Sequence, residues 1–413
     1  PKCGKTHFSK ENDIMDVWFD SGSTWAAVAD QRDNLQYPAD VYLEGGDQYR
    51  GWFQSSILTS IACRGTAPYK QIITHGWTVD GEGKAMHKSL GNAMPPEEII
   101  KDYGADMLRL WVSSADYTQD MRISKEIMKQ LSQAYLKIRN TARYMLGNLD
   151  GFEPDKAVAV EKMTDLDKWA VSAFNELVRT VRAGYDAYEF HTVYRAIYNF
   201  CVVEMSNFYL DIIKDRLYCG DGAGRSSAQS ALYLILDGMT RMLAPILAFT
   251  SQEIWTAMPH RAGDDPECVL FNDIPDYDPA LALSEAEAAR WTKLLEVRDV
   301  VLKALEEARE QGIKKNQDAE VTLHLPEKAY EAWEAGTVLP GFDPADLATL
   351  FIVSKVNVTK RDGEPADPDV DATVSVALSQ APKCPRCWNH DEGIGTPGHH
   401  AELCARCAAV LGS

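Results

Sequence analysis

This sequence lacks the features of a membrane or secreted protein. No stretch approaches the roughly 18 consecutive apolar residues that a bilayer-spanning helix needs, so we predict no membrane segment. The start, Pro1-Lys2-Cys3-Gly4, shows neither a secretory signal pattern nor an initiator methionine, and we expect the chain to come from a longer one. With 413 residues, 45% hydrophobic and 25% charged, the chain is expected to form about two to four globular domains.

An excess of positive charge is also absent. The chain has 42 lysines and arginines against 61 aspartates and glutamates, which leaves a net charge of −19. This balance argues against a protein whose whole surface binds nucleic acid, but it leaves room for a local basic face, because surface charges act only within about 8–10 Å in salt. One segment departs from the acidic balance of the chain. Residues 122–143 contain one acidic residue, Glu126, and six basic residues: Arg122, Lys125, Lys129, Lys137, Arg139 and Arg143. The segment predicts a directional basic face on an acidic body.

The cysteines do not have the pattern of a disulfide framework. Four of the nine form two Cys-x2-Cys pairs that enclose sixteen residues: Cys384, Cys387, Cys404 and Cys407. Each pair predicts a knuckle with two inward thiolates, and together they predict a closed tetrahedral site for one structural Zn²⁺. A nearby histidine (His390, His399 or His400) could replace one cysteine, but we favour the four thiolates.

The other cysteines are single. Those beyond the start of the chain are scattered at Cys63, Cys201, Cys219 and Cys268. This arrangement is typical of a reducing compartment, and we expect a cytoplasmic protein. Cys3 is half of what would be another knuckle, and an ordinary thiol is an equally good interpretation.

Apolar strands alternate with helical stretches between residues 40 and 115. The predicted elements are strands at 40–43 and 71–77 and helices at 47–63 and 96–110. This order predicts a parallel sheet with its functional groups at the carboxyl ends of the strands. Glu44, His75 and the loop that contains Lys88 all follow such ends, so we expect them to meet.

The remainder of the chain has a different pattern. From residue 120 to about 275 the apolar residues recur at helical spacing, which predicts an antiparallel helical bundle with its aromatic residues in the core. A helix and three alternating strands then predict a small α/β domain. These elements are the helix at 285–312 and the strands at 320–325, 350–353 and 374–378. The linker at 362–368 is expected to be mobile.

A glycine-flanked basic loop, Gly83–Asn92, lies between a predicted strand and a predicted helix. Its lysines, Lys84 and Lys88, and the hydroxyl of Ser89 suit a polyphosphate ligand, because lysine is a point charge and nearby helix N–H groups add positive potential. A solvated surface loop is the plain alternative. The loop alone does not exclude that alternative, because short motifs also arise by chance.

Three further blocks accompany this loop: Asp16–Ser23, Tyr42–Phe53 and Gly104–Trp111. Together and in this order the four blocks resemble the class I aminoacyl-tRNA synthetases, and within that class the isoleucine-specific family. The loop is similar to the second signature of the class, Lys-Met-Ser-Lys-Ser. It departs from that signature at Ala85, where a lysine is usual, and at His87, where a serine is usual.

The resemblance implies a multidomain fold, α/β and all-α in different parts. The expected parts are the end of an editing insertion (1–40), half of a Rossmann-like catalytic domain (41–122), a helical anticodon-binding domain (123–275), a small α/β junction domain (276–380) and a zinc finger (381–413). It further implies a monomer that uses ATP with Mg²⁺, L-isoleucine and tRNA-Ile, and a finger that helps to hold the tRNA.

The implied reaction joins isoleucine to ATP as isoleucyl-adenylate, releases pyrophosphate, and then transfers the amino acid to tRNA. Negative charge builds on the leaving pyrophosphate, so a lysine on a closing loop stabilises the transition state more than the ground state. By the resemblance Lys88 takes this role, with Ser89 and His87 completing the catalytic set. Lys84 and Met86 would bind ATP with Lys88, and Lys84 would supply the charge displaced from Ala85.

The block at 42–53 supplies the second half of the implied site. By the resemblance Glu44, Asp47 and Gln48 line the aminoacyl-adenylate pocket, and Trp18 and Trp52 wall the isoleucine side-chain pocket. The residues alone also allow a plainer interpretation, in which Asp47 caps the following helix and the tryptophans belong to a core. Both interpretations can hold.

The first signature of the class, His-x-Gly-His, does not occur in these residues. We therefore expect that this chain does not activate amino acid alone. Two alternatives remain open: a valine- or leucine-specific relative, and a non-catalytic tRNA-binding zinc protein derived from a synthetase.

Overall fold

The computed structural model describes residues 4–15, 17–336, 342–361, 372–395 and 400–412. The chain divides into two compact units, 1–131 and 132–413. Within the described ranges, no helix has both the length and the apolar character needed to cross a membrane. Cys3, His399 and the linker at 362–368 lie outside the described residues.

The first unit alternates strands with helices, and its strands pair in parallel as the sequence predicts. The strands are β1 (Ala39–Gly45), β2 (Tyr69–His75), β3 (Thr78–Val79) and β4 (Met121–Arg122). The helices are α1 (Val17–Gly22), α2 (Thr24–Ala27), α3 (Trp52–Arg64), α4 (Pro96–Tyr103) and α5 (Ala105–Ser114). β1 pairs with β2 and β3 with β4, so the carboxyl ends of paired strands lie together.

Helix α3 lies between β1 and β2 in the chain and packs closely against α1. A Cβ at Gly22 would lie 2.5 Å from Ser55 Oγ, so the approach requires a glycine. The buried residues of α3 are small or aromatic: Phe53, Ser56 and Ser60. Two members of its apolar pattern, Leu58 and Ile61, are exposed instead.

Residues 96–110, predicted as one helix, belong to two. Helix α4 ends at Tyr103 and α5 begins at Ala105, and Gly104 between them has φ +90°. This left-handed conformation is open to glycine at little cost and interrupts the helix. The prediction of a single helix is wrong. The apolar residues keep their helical spacing across Gly104, so the spacing gives no sign of the break.

Helix α6 (Lys125–Gly147) leads into the second unit. The helices that follow are α7 (Asp165–Asp186), α8 (Phe190–Asn199), α9 (Leu210–Ile212), α10 (Lys214–Cys219), α11 (Gly222–Leu243) and α12 (Ala248–Ala257). A π-helix, Phe200–Tyr209, joins α8 to α9, which the apolar period does not predict. The prediction of an aromatic core is confirmed by buried residues that include Phe174, Phe200, Tyr209, Tyr233 and Trp255.

A buried carboxylate, Asp167 on α7, connects several of these helices. Its side chain is fully buried and accepts two hydrogen bonds from the Arg216 guanidinium of α10, at 2.9 and 2.6 Å. Three hydroxyl groups also donate to it: those of Tyr209 at 2.7 Å, Ser227 at 2.6 Å and Thr164 at 2.8 Å. The charge is therefore paired and its oxygens are saturated with donors, as a buried charge requires.

The small α/β domain begins with α13 (Glu285–Glu310), which confirms the helix predicted there. Its start is a capping box, in which Ser284 Oγ accepts from the Glu287 N–H and Glu287 Oε2 accepts from the Ser284 N–H. A three-stranded sheet follows in the order β6–β5–β7: β5 (Ala319–Pro326), β6 (Lys355–Arg361) and β7 (Thr373–Leu378). β6 runs parallel to β5 and β7 antiparallel.

Residues 350–353, predicted as a strand, are not one. The helices around them are α14 (Glu327–Glu334) and α15 (Pro344–Phe351), and α15 ends where Ile352 adopts φ +59°. Asp343 starts α15 by accepting hydrogen bonds from the N–H groups of Ala345 and Asp346, at 2.8 Å each. A short apolar run fits a buried strand or a buried helix equally well, and the cap upstream selects the helix here. The described chain ends in α16 (Ala405–Gly412).

Candidate functional site

Glu44 and His75 meet at the carboxyl ends of the parallel strands β1 and β2. Gly45 pairs with His75 in the sheet, and the His75 Nε2 atom lies 3.6 Å from Glu44 Oε1. His75 Nδ1 lies 2.8 Å from the carbonyl oxygen of Gly76, which fixes the ring. Both side chains remain accessible, at 50% for Glu44 and 38% for His75. The expectation that these two residues meet is confirmed, and their groups can contact a ligand.

Gln48, and not Asp47, caps the helix that follows. Gln48 Oε1 accepts a hydrogen bond of 2.9 Å from the Trp52 N–H, which is one of the free donors at the start of α3. Gln48 Nε2 donates to Asp47 Oδ2 at 3.1 Å. The sequence-based interpretation of Asp47 as the cap is therefore wrong, because a single 3-10 turn, Gly46–Arg50, intervenes and moves the start of α3 to Trp52.

Trp18 and Trp52 lie at the same end of α3. The Trp52 ring stacks on Tyr42 with centroids 4.2 Å apart and donates from Nε1 to the Ser21 carbonyl oxygen at 3.0 Å. The Trp18 ring lies so close to Gly51 that a Cβ there would be 3.1 Å from it. Trp18 is 49% exposed. Trp52 is thus held rigidly, whereas Trp18 is half-exposed.

The basic loop is organised by Asp80 at the end of β3. Asp80 Oδ1 accepts from the N–H groups of Lys84 at 2.8 Å and Glu82 at 3.0 Å, and Oδ2 accepts from Asn92 Nδ2 at 2.8 Å. The Asn92 amide and these backbone N–H groups hold the pKa of Asp80 below its usual value. Asn92 Oδ1 in turn accepts from the His87 N–H at 2.9 Å. One carboxylate and one amide therefore tie both ends of the loop together.

The predicted loop residues have different surroundings within this frame. The Lys84 ammonium donates to Glu82 Oε2 at 2.7 Å, His87 and Ser89 are exposed, and Met86 is half-buried. The backbone at Lys88–Leu90 forms a single 3-10 turn. The hydrogen bonds of the described residues hold the loop to Asp80 and Asn92 and not to Glu44 or His75. The expected meeting of the loop with the strand ends stays a prediction.

Sequence reasoning missed Asp80 and Asn92, although a signal for them was present. Asp80 precedes Gly81 and Gly83, and Asn92 follows Gly91, so each stands at a turn where Asp and Asn side chains commonly accept from or donate to the backbone. Gly83 and Gly91 have φ +86° and +65°.

The four predicted metal ligands converge in the second unit. The Sγ atoms of Cys384, Cys387, Cys404 and Cys407 all lie within 4.8 Å of one another, and all four residues are buried. Four thiolates at a Zn–S distance of about 2.3 Å would be about 3.8 Å apart, and the Cys387–Cys404 separation is 3.7 Å. The donor set and its geometry fit a closed structural Zn²⁺ site.

The backbone around this cluster prepares it for a cation. Burial raises the pKa of the Cys384 thiol, but hydrogen bonds from the N–H groups of Cys387, Cys404 and Arg386 outweigh burial and lower that pKa to about 6. The lowered pKa favours the thiolate form of Cys384, which is the form that binds metal. Burial raises the pKa of Cys387 and Cys404, so in these residues the thiolate depends on the charge of the ion.

His390 is not a member of the cluster. Its Nδ1 lies 2.6 Å from the carbonyl oxygen of Ala381, and its Nε2 lies 3.2 Å from Asp318 Oδ1. Both ring nitrogens are therefore occupied by protein groups. His400 Nδ1 lies 4.0 Å from Glu402 Oε1. These contacts favour the four-cysteine interpretation over a histidine replacement.

The basic segment at 122–143 lies largely on α6, and its charges face solvent. All six of its basic residues are exposed: Arg122, Lys125, Lys129, Lys137, Arg139 and Arg143. The apolar residues of the helix are buried, among them Ile138 and Met145. The helix thus has one apolar and one basic side, and the basic side is open to a polyanion.

Comparison with known proteins agrees with this architecture. Residues 2–124 match the family of tRNA synthetases class I (I, L, M and V), and residues 167–323 match the anticodon-binding domain of tRNA ligase. Residues 382–410 match the zinc finger found in FPG and IleRS. The three families follow one another along the chain in this order.

Curated relatives match nearly the whole chain. It is 47% identical over 425 residues to an isoleucine--tRNA ligase of Caldanaerobacter subterraneus subsp. tengcongensis, which covers 99% of this chain and 44% of the relative. It is 49% identical over 421 residues to the isoleucine--tRNA ligase of Syntrophotalea carbinolica, which covers 100% of this chain and 44% of the relative. The chain therefore spans less than half the length of the relatives it matches.

A solved structure shares the fold. The ternary complex of Agrobacterium radiobacter K84 agnB2 LeuRS with tRNA and LeuAMS is similar with a TM-score of 0.54 and 16% identity, over 79% of this chain and 37% of that chain. At this identity the similarity concerns the fold alone.

Proposed function

We propose, on the premise that this chain belongs to the class I aminoacyl-tRNA synthetases, that it is part of an isoleucine--tRNA ligase. The ligase would activate L-isoleucine with ATP, release pyrophosphate, and transfer the amino acid to tRNA-Ile. The observation that carries the proposal is identity of 47% and 49% to two isoleucine--tRNA ligases over 99% and 100% of the chain. The match to a zinc finger found in FPG and IleRS favours the isoleucine assignment over a valine- or leucine-specific relative.

The loop at 83–92 would act in the activation step. Lys88, Ser89 and His87 would stabilise the charge that develops on the leaving pyrophosphate of Mg²⁺-bound ATP, and Lys84 and Met86 would bind the nucleotide with Lys88. The Asp80–Asn92 hydrogen bonds support this assignment, because they hold the loop backbone in one shape while leaving His87 and Ser89 exposed. A loop held in this way loses less conformational freedom when ATP binds.

The strand ends would bind the adenylate. Glu44 would accept hydrogen bonds from it, Asp47 and Gln48 would lie against its aminoacyl end, and Trp18 and Trp52 would contact the isoleucine side chain. The accessible Glu44 carboxylate and the partial exposure of the Trp18 side chain support these roles. The hydrogen bond from Trp52 to Ser21 supports a wall of fixed shape, which selection between similar aliphatic side chains needs.

The second unit would bind tRNA. We assign residues 123–275 to anticodon binding, 276–380 to a junction domain and 381–413 to a zinc finger with Zn²⁺ on the four cysteines. We assign residues 1–40 to the end of an editing insertion and 41–122 to half of the catalytic domain. The basic side of α6 supports tRNA binding by an acidic protein, and the singly placed thiols support a protein of the reducing cytoplasm. We further propose that the protein is a monomer.

The proposal is tested by equilibrium binding of this chain to tRNA-Ile, tRNA-Val and tRNA-Leu at near-physiological salt, with and without a zinc chelator. We expect preference for tRNA-Ile and weaker binding after chelation. Cys404→Ser should reproduce the effect of the chelator, whereas Cys63→Ser, which changes an exposed thiol outside the cluster, should not. Preference for another tRNA would refute the isoleucine assignment, and absence of tRNA binding would refute the role of the second unit.

A further inference from the structure

Both cysteine pairs contain an arginine, and both arginines reach the same helix of the bundle. Arg386 lies between Cys384 and Cys387, and Arg406 lies between Cys404 and Cys407. Each side chain contacts α10, which is more than 160 residues earlier in the chain. Arginine is a common nucleic-acid contact, so an arginine beside a zinc site could bind RNA. The protein groups that these two arginines contact therefore indicate whether they bind RNA or another part of the chain.

Arg406 forms a two-pronged pair with Asp215 of α10. Its Nη2 donates to Asp215 Oδ1 at 2.8 Å, and its Nη1 donates to Asp215 Oδ2. The two side chains are 45% and 24% exposed. The fork matches the carboxylate, and this geometry is among the strong forms of a surface ion pair.

Arg386 and Cys219 exchange hydrogen bonds at the end of α10. The Arg386 Nη1 donates to the Cys219 carbonyl oxygen at 2.6 Å, and the Cys219 Sγ donates to the Arg386 carbonyl oxygen at 3.3 Å. The same Nη1 lies 3.6 Å from Cys407 Sγ. Arg386 thus satisfies a carbonyl group at the carboxyl end of α10, where helices leave carbonyl groups without partners. It also places positive charge next to a metal-binding sulfur.

The other side of α10 is anchored in the core of the bundle. Arg216 follows Asp215 in the chain but points to the fully buried Asp167. The short helix α10 is therefore held between the buried network on one side and the zinc-binding segment on the other. Its six residues cannot form a stable helix by themselves, so these contacts determine its position.

We propose that Arg386, Arg406, Asp215 and Cys219 form a zinc-dependent clamp that fixes α10 to the zinc-binding segment. Arg386 and Arg406 are positioning residues in this arrangement and do not contact RNA. In this arrangement bound zinc would fix the backbone of the two Cys-x2-Cys pairs. The fixed backbone would orient Arg386 and Arg406, and these side chains would hold α10 in position. Chelation would then disturb α10 as well as the finger. For its effect on tRNA the clamp rests on the proposed function, but its effect on α10 does not.

Two substitutions separate the clamp from direct RNA contact. Asp215→Asn removes the carboxylate but keeps Arg406, whereas Arg406→Gln removes the guanidinium. If the pair is a clamp, both variants should raise hydrogen exchange at Lys214–Cys219 by about fivefold, since an ion pair of this kind is worth about one factor of five. Both should also weaken tRNA-Ile binding by a similar factor while retaining one zinc per chain. The charge-swapped variant, Asp215→Arg with Arg406→Asp, should restore part of the protection.

Lys214→Gln is the matched control. It removes one positive charge from α10 and breaks only the neighbouring pair with Asp211, so it should leave the protection of Cys219 unchanged. The clamp is refuted if Arg406→Gln weakens tRNA binding while Asp215→Asn leaves both exchange and binding as they were, because Arg406 would then act on the RNA. It is also refuted if chelation of the wild-type chain leaves exchange at α10 unchanged. If the wild-type chain binds no tRNA, the proposed function fails, and the exchange data still decide on the clamp.

Discussion

At the scale of single residues, two aspartates organise the two units. Asp80 accepts hydrogen bonds from the Asn92 amide and from backbone N–H groups of the basic loop. These hydrogen bonds stabilise the charged carboxylate and lower the pKa of Asp80. Asp167 accepts five hydrogen bonds from an arginine and three hydroxyl groups in the interior of the bundle. Neither residue was among the predicted site residues. In each case a carboxylate determines where several other groups lie.

Replacement of Asp167 should strongly destabilise the second unit. Asp167→Ala leaves the Arg216 guanidinium, only 18% exposed, without its counter-charge, and leaves three hydroxyl groups without an acceptor. Removal of one partner of a buried ion pair typically costs about 3–5 kcal/mol of unfolding free energy. The expected result is a large fall in the urea midpoint of the second unit, followed by circular dichroism.

Glu176→Ala is the control for this prediction. Glu176 lies on the same helix and pairs with Arg179, but the two side chains are 44% and 62% exposed. A surface pair contributes about 0–1 kcal/mol, so this variant should unfold close to the wild type. Equal losses for both variants would show that burial of the pair is not the cause.

At the scale of elements, close helix packing depends on small residues. Gly238 lies in the middle of α11, and a Cβ there would be 2.5 Å from Phe174 Cζ of α7 and 3.2 Å from Pro275 Cγ. Phe174 is 6% exposed and its ring is 6.0 Å from that of Phe200, so it has little room to move. The distance between α7 and α11 is therefore set by the absence of a side chain at one position.

Gly238→Ala should lower stability even though alanine favours helices. The added methyl group overpacks a filled core, which typically costs about 1–3 kcal/mol. Gly147→Ala is the matched control, because no atom lies within 4 Å of its added Cβ at the end of α6. That variant should be neutral or more stable by up to about 1 kcal/mol. Thermal unfolding of the two variants side by side measures the difference, and destabilisation of equal size would contradict the packing argument.

At the scale of the whole molecule, only some of the groups proposed for activation occur in this sequence. The chain spans 44% of the length of its isoleucine--tRNA ligase relatives, and the first signature of the class does not occur in its sequence. The loop at 83–92 and the strand ends at Glu44 and His75 are present. We propose that the loop and the strand ends need the groups of that first signature to hold ATP.

We accordingly predict that these 413 residues alone show no isoleucine-dependent ATP–pyrophosphate exchange above background. The physical reason is that a lysine loop stabilises the leaving pyrophosphate only when other groups hold the nucleotide in place. Selective tRNA-Ile binding by the same preparation serves as the control for a folded chain. Measurable exchange would show that the residues present suffice for activation.

Several structural features of this protein are determined by local sequence signals. The Cys-x2-Cys pairs, the strand–helix alternation before residue 115 and the helix at 285–310 are encoded in short spacings that do not depend on distant residues. The family relation rests on blocks of the same kind. Such features could be predicted because their information lies within one turn or one element.

Other features were decided only when the chain folded. Residues 350–353 end a helix, Gln48 takes the capping role expected of Asp47, and Gly104 divides a helix that the apolar period predicts as one. The apolar pattern is compatible with both outcomes in each case. Where each helix starts and ends depends on capping groups and backbone angles. The spacing of hydrophobic residues contains no information about either.

The contacts that join distant parts of the chain were also beyond the sequence. Cys219 was one of several scattered cysteines, and Arg386 and Arg406 were spacer residues between metal ligands. In the structure they meet across 167 residues for Cys219 and Arg386, and Arg406 meets Asp215 across 191 residues. Sequence patterns specify which residues face inward locally, but only tertiary packing brings charges and carbonyl groups so far apart in the chain within hydrogen-bond distance.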